Sequence, residues 1–154
     1  MELRLKDLEI SSPAFGALET IPQRHTSDGE NISPTIQWSK IPPETKELAL
    51  ICHDPDAPLP WGFIHWIVYN IPADITEIEE GGGDLFTAGV NTSGSKGYTG
   101  PAPPPGHGAH YYYFWLYAID RSLELQAGLN REELLHAIAD YVTAQVRLVG
   151  TYQR

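Results

Sequence analysis

Four of the six histidines in this chain stand in or beside two proline-rich stretches that also carry a pair of aspartates. The first stretch is His53-Asp54-Pro55-Asp56-Ala57-Pro58, which leads to His65; the second runs from Pro101 to Pro105 into Gly106-His107-Gly108-Ala109-His110-Tyr111-Tyr112. Proline fixes φ and removes an N–H donor, so loops built this way hold a shape and display side chains instead of pairing in a sheet. That is the pattern of a small preformed pocket. Asp54 and Asp56 admit three roles. They can cap turns, because Asp binds local N–H groups and Asp-Pro favours turns. As paired carboxylates they can act as acid and base in hydrolysis, given environments that separate their pKa values. One of them can also orient His65 or His110 and favour its imidazolium form.

Other chemistry is weakly written. The histidines and aspartates follow no familiar metal motif, and His107 and His110, three apart, lie in a glycine loop, so no metal or cofactor is expected. Ser93 and Ser95 are not in Gly-x-Ser-x-Gly, and the single cysteine, Cys52, lies in the apolar run Leu48-Ala49-Leu50-Ile51-Cys52, where it reads as a small buried hydrophobe. No residue is assigned a catalytic role.

The elements that must position these groups are mostly strands. Leu3 and Leu5, then Leu8 and Ile10, alternate with polar residues and predict a bent first strand, and a short strand is predicted at Ile36 to Trp38. Leu48 to His53 and Phe63 to Asn70 read as strands, the second apolar on both faces as in a covered central strand. Within it, alternation groups His65 with Phe63, Ile67 and Tyr69. Gly94 to Gly108 is long for a loop in a compact domain, which points to function or disorder. Tyr111 to Ile119 is the strongest strand, and extending its alternation back to His110 puts His110, Tyr112, Phe114 and Leu116 on one face. A helix is predicted after Asn130, with Asn130 and Glu133 as a capping box. Leu134, Leu135, Ile138, Tyr141, Val142 and Val149 carry its periodicity, and Gly150 stands as its stop.

With 154 residues the chain fits one domain, residues 1 to 154, and many short strands with one terminal helix predict a mainly β sandwich. Its 20 acidic residues against 10 basic ones give a net charge of −10, which repels nucleic acid and anionic membranes. Lys96 is the sole Lys or Arg between Glu47 and Asp120, so no basic patch is visible, and any anion must be caught locally. The charged start Met1-Glu2-Leu3-Arg4-Leu5-Lys6 and the absence of a long apolar run predict a soluble, unexported, cytoplasmic protein with no integral membrane segment. A single cysteine excludes an internal disulfide.

Several motifs in one order resemble the phosphatidylethanolamine-binding protein family, in its bacterial and archaeal, Raf-kinase-inhibitor-like branch. They are Ser12-Pro13-Ala14-Phe15, Asp28-Gly29-Glu30-Asn31-Ile32-Ser33-Pro34 with Trp38, Asp54-Pro55-Asp56-Ala57-Pro58, His65-Trp66 and Asn70-Ile71-Pro72. Gly97-Tyr98-x-Gly100-Pro101 and Pro103-Pro104-Pro105-Gly106-His107-Gly108-x-His110 complete the resemblance over nearly the whole chain. It implies a Greek-key antiparallel β-sandwich and a small pocket for phosphate-like anions or phospholipid head groups. Carried over by position, Asp54, Asp56, Pro58, Trp61, His65, His110 and Tyr112 would line that pocket, with Pro103 and Gly106 in one wall. It also implies a homodimer and a protein target such as a kinase or protease, inhibited or modulated by binding. Two positions depart from the pattern: Tyr111 stands where an Arg is common, and Ala102 where animal members carry glycine. By alternation Tyr111 faces away from the pocket, so its effect falls on scaffold contacts. The leading expectation is a non-enzymatic binding protein; the alternatives are a hydrolase using Asp54 or Asp56 with His65 or His110, and a pure protein-interaction module.

Overall fold

The computed structural model describes residues 7–154. Two antiparallel sheets face each other. The smaller joins β1 (Glu9–Ser11), β2 (Ile36–Ser39) and β5 (Glu77–Ile78) in the order β1-β2-β5. The larger is ordered β6-β4-β3-β7-β8, from β3 (Glu47–Asp54), β4 (Phe63–Pro72), β6 (Thr87–Ala88), β7 (His110–Ile119) and β8 (Val142–Tyr152). After β4 the chain visits both sheets and returns as β7 on the far side of β3, which is a Greek-key path. The predicted first strand is realised at Glu9–Ser11, while Leu3 and Leu5 lie outside the described residues.

The five-stranded sheet is buried on both faces. Its inner face packs Leu48, Leu50, Cys52, Val68, Phe114 and Leu116 against Ile36 and Trp38 of the small sheet. Its outer face packs Ala49, Ile51, Ile67 and Tyr69 under Leu134 and Ile138 of α1 (Arg131–Ile138). A strand covered on two sides needs apolar residues at successive positions, which is why Phe63 to Asn70 shows no polar alternation.

The helix is shorter than predicted. Its start is as expected: the Asn130 side chain accepts from the Glu133 N–H at 2.8 Å and Glu133 accepts from the Asn130 N–H at 3.0 Å. It ends at Ile138, however, and Val142 to Tyr152 form β8 instead of further helical turns. That segment holds β-branched residues and alternates as well as it winds, and the free edge of β7 takes it up over its full length. A bulge between Ala118 and Ile119 turns Val142 toward the helix side while Ala144 and Leu148 face the other sheet. Gly150 is therefore no helix stop. It lies opposite Tyr112, where a Cβ would stand 2.6 Å from Ile21 Cγ1 and 2.7 Å from Phe15 Cε2.

The long loop before β7 is tied at several points and is ordered. The Thr99 N–H donates to His65 O at 2.9 Å, the Gly100 N–H to Asn31 Oδ1 at 2.7 Å, and both the N–H and the hydroxyl of Ser27 donate to Pro101 O, at 3.0 and 2.9 Å.

Candidate functional site

Three strand ends meet at one edge of the large sheet. β3 ends in Asp54, β4 enters with Phe63 and His65, and β7 begins with His110 and Tyr112. Alternation alone places His110 and Tyr112 together, but His65 reaches them by a bulge. Cys52 pairs with Trp66 and His53 with Ile64, so His65 is the extra residue on β4. The bulge corrects the predicted grouping: His65 shares a side with Phe63, at 4.6 Å between ring centroids, while Ile67 and Tyr69 face the helix.

These side chains surround a cavity of about 290 Å³, lined by Asp54, Pro58, His65, Pro103, His110 and Tyr112 among the residues expected there. Leu59, Phe63 and Pro104 add apolar wall, and none of the lining residues is Lys or Arg. Three expected residues lie elsewhere. The Asp56 carboxylate accepts the Tyr111 N–H at 2.8 Å, closing the loop onto β7. The Gly106 N–H donates to Arg154 O at 3.1 Å, behind the wall. Trp61 is 89% exposed and borders a second hollow beside Arg131 and Leu135 of α1. Its carbonyl is held at 3.2 Å by His53 Nε2, and Gly62 at φ 69° turns the chain back toward β4, so the indole projects away from the cavity.

Asp54 unites two of its three possible roles. One carboxylate oxygen accepts the Asp56 N–H at 2.8 Å, the turn-forming bond, and the other accepts from His110 Nδ1 at 2.7 Å. Both side chains of this pair are almost wholly buried, at 3% and 2% exposure. His110 Nε2 lies 2.6 Å from His107 Nδ1, giving a chain of carboxylate, imidazole and imidazole that ends on an exposed ring. In the sequence the His107–His110 spacing carries no mark of this ring pair beyond fitting no metal motif. Among the described residues no group of three or more His, Cys, Asp or Glu is disposed to hold a metal ion.

His65 donates Nδ1–H to Thr99 O at 2.6 Å, which leaves Nε2 as the nitrogen free to meet a ligand. Burial pushes its pKa below the ordinary 6.5, with the Thr99 carbonyl partly opposing, so the ring is neutral at pH 7. Nothing in the sequence marks Thr99, because the contact uses its backbone. Phe63 was accessible through its alternation with His65. The Tyr112 hydroxyl is one of two buried side-chain polar atoms with no hydrogen-bond partner among the described residues; the other, the Thr45 hydroxyl, does not line the cavity. Burial first, and then the nearby Asp54 carboxylate, drive the Tyr112 pKa far up, so it stays a phenol and a donor. Behind Tyr112, burial pushes the Cys52 thiol up as well, which removes it as a nucleophile.

The depressed His65 pKa gives stability a pH dependence. The unfolded chain binds a proton near pH 6.5 that the folded chain refuses, so the neutral-ring stability is complete above that value and is lost as pH falls through the folded pKa. His53, also lowered chiefly by burial, acts in the same direction. Urea unfolding from pH 8 to pH 5 is expected to show falling stability in wild type and a smaller fall in His65→Gln. Equal slopes for the two proteins would contradict the assignment to His65.

No helix among the described residues is long and apolar enough to cross a membrane. The family model for the phosphatidylethanolamine-binding protein matches residues 11–153. A UPF0098 protein of Methanothermobacter thermautotrophicus is 44% identical over 154 residues, covering 96% of this chain and 99% of its own length. In the solved structure of a phosphatidylethanolamine-binding protein homologue from Chlamydia trachomatis, 37% identical, the match covers 96% of this chain and 97% of that one with a TM-score of 0.90. Escherichia coli YbcL, described as a member of the mammalian family, superposes with a TM-score of 0.89 at 26% identity, over 97% of this chain and 99% of its own. With its sequence and its sandwich fold both matched along nearly the full length, this chain belongs to the phosphatidylethanolamine-binding protein family.

Proposed function

We propose that the chain is a non-enzymatic binding protein whose cavity takes a phosphate-like anion or the phosphate of a phospholipid head group. The observation that carries this reading is the Tyr112 hydroxyl, a buried donor without a partner. Leaving such a group unmade costs about 1–3 kcal/mol, so its retention at the cavity wall is best explained by an acceptor that arrives from outside. The His65 ring stands beside that of Tyr112, the two 5.2 Å apart and edge-on, and its Nε2 donates once the anion favours its protonated form. A ligand oxygen can thus be held by local donors without Lys or Arg, against the repulsion of the protein's net negative charge.

A hydrolytic role has less support. Both Asp54 oxygens are engaged inside the protein, Asp56 is bound to β7, and neither offers a free carboxylate to the cavity. Family membership supports two wider parts of the proposal, a cytoplasmic homodimer and a protein target such as a kinase or protease. Sedimentation that finds only monomer at every concentration would remove the dimer.

The direct test titrates inorganic phosphate and phosphorylethanolamine separately while amide resonances are followed. Saturable shifts clustered at Asp54, His65, Thr99 and Tyr112 are expected with both. Tighter binding of phosphorylethanolamine would favour the head group as source, and equal binding the free anion. Shifts that are absent, or scattered over the surface, would contradict the proposal.

A further inference from the structure

Both ring nitrogens of His110 are occupied within the protein. Nδ1–H donates to Asp54, and Nε2 is bonded to His107 Nδ1 at 2.6 Å, whichever ring supplies that proton. His110 lines the cavity at 1% exposure, whereas His107 is exposed and does not line it. In this arrangement His110 has nothing left to offer an anion.

The two partners are held very differently. His110 is fixed by β7, paired with Tyr152 on β8, and by its buried carboxylate. His107 sits between Gly106 at φ 76° and Gly108 at φ 85°, with no atom within 4 Å of where a Cβ would stand on either. Glycines in the left-handed region with open space around them can change conformation without a clash. Among the described residues this turn has two backbone ties, Gly106 N–H to Arg154 O at 3.1 Å and His107 N–H to Pro104 O at 3.2 Å.

We propose that His107 is a removable internal partner of His110: its ring and the incoming anion compete for His110 Nε2, and capture of the anion swings the Gly106–Gly108 turn outward. Once free, Nε2 accepts from a protonated phosphate oxygen or donates to an unprotonated one, so the site gains a third contact beside Tyr112 and His65. Filling the cavity then reshapes an exposed loop, which turns occupancy into a surface signal. The inference rests on the reading of the cavity as an anion site.

Inorganic phosphate titrations of wild type, His107→Ala, His107→Asn and Tyr112→Phe separate the two. His107→Ala is expected to bind about five- to tenfold tighter than wild type, the worth of roughly one hydrogen bond. His107→Asn, whose amide replaces Nδ1, is expected to bind like wild type. In wild type, saturation with phosphate should move the His107 ring ¹⁵N resonances to those of a solvated imidazole. Unchanged or weaker binding by His107→Ala, an equal gain in His107→Asn, or ring resonances that do not move would overturn the competition. If binding is lost in Tyr112→Phe but not gained in His107→Ala, the competition fails and the anion site stands. If neither wild type nor His107→Ala responds to phosphate, both fall together.

Discussion

Replacing Asp54 by Ala is expected to lower the unfolding free energy by about 3–5 kcal/mol and to abolish ligand binding. The carboxylate serves two donors at once, the Asp56 N–H that shapes the first proline loop and the His110 ring that heads β7. Removing it strands both, and His110 is too deeply buried for water to replace the lost partner. Because the pair is enclosed, salt screens it little, and the loss should persist at high ionic strength. Asp54→Asn keeps a carbonyl oxygen but not the charge, and about half the loss is expected. Urea unfolding of the two variants measures this. A loss below about 1 kcal/mol for Asp54→Ala would show that the aspartate does not organise the site.

The second large effect is expected far from any ionisable group. Gly150→Val should cost about 2–3 kcal/mol or more, because every route for the new side chain runs into Ile21 and Phe15. Gly150 pairs with Tyr112, so forcing β8 away also displaces the strand that carries the phenol, and ligand affinity should fall with stability. Denaturant midpoints compared with a Val substitution at exposed Gln145 in the same strand would check it. Equal stabilities would mean that the close approach of the Phe15–Ile21 segment to β8 is not a constraint.

Gly150 also shows where sequence reading stops. A glycine after a run with helical spacing reads as a helix stop, yet its role here is set by two side chains more than a hundred residues earlier. Val142 to Leu148 fits both periods, and the choice belongs to the unpaired edge of β7, a tertiary fact. Local signals fared better: the Asn130–Glu133 capping box, the proline stop after β3 and the alternation along β7 each depend on neighbours in sequence. His65 lies between these cases. Its place in the cavity comes from one extra residue in β4, and a bulge leaves no mark in an apolar run.

The aspartates divide in a way spacing alone does not decide. Asp54 points inward to His110 and Asp56 outward to the Tyr111 amide, because β3 ends at Asp54 and the turn that follows takes Asp56 out of the strand's alternation. The backbone contact also bears on the departure at Tyr111. The loop is fastened to β7 through a main-chain N–H that any residue but proline supplies, and the side chain at 111 is left 43% exposed. Trp61, carried over by position with the aspartates, is turned to solvent by the Gly62 bend.

The central claim is that the Tyr112 hydroxyl is kept for an acceptor the protein does not contain, and a thermodynamic cycle on Tyr112→Phe tests it most directly. Without ligand, the variant sheds an unsatisfied buried donor and is expected to be as stable as wild type or more stable by about 1 kcal/mol. With phosphate present, wild type should gain stability as the site fills while the variant gains little, so the order of the two reverses. A variant less stable than wild type without ligand, and stabilised equally by phosphate, would contradict the account.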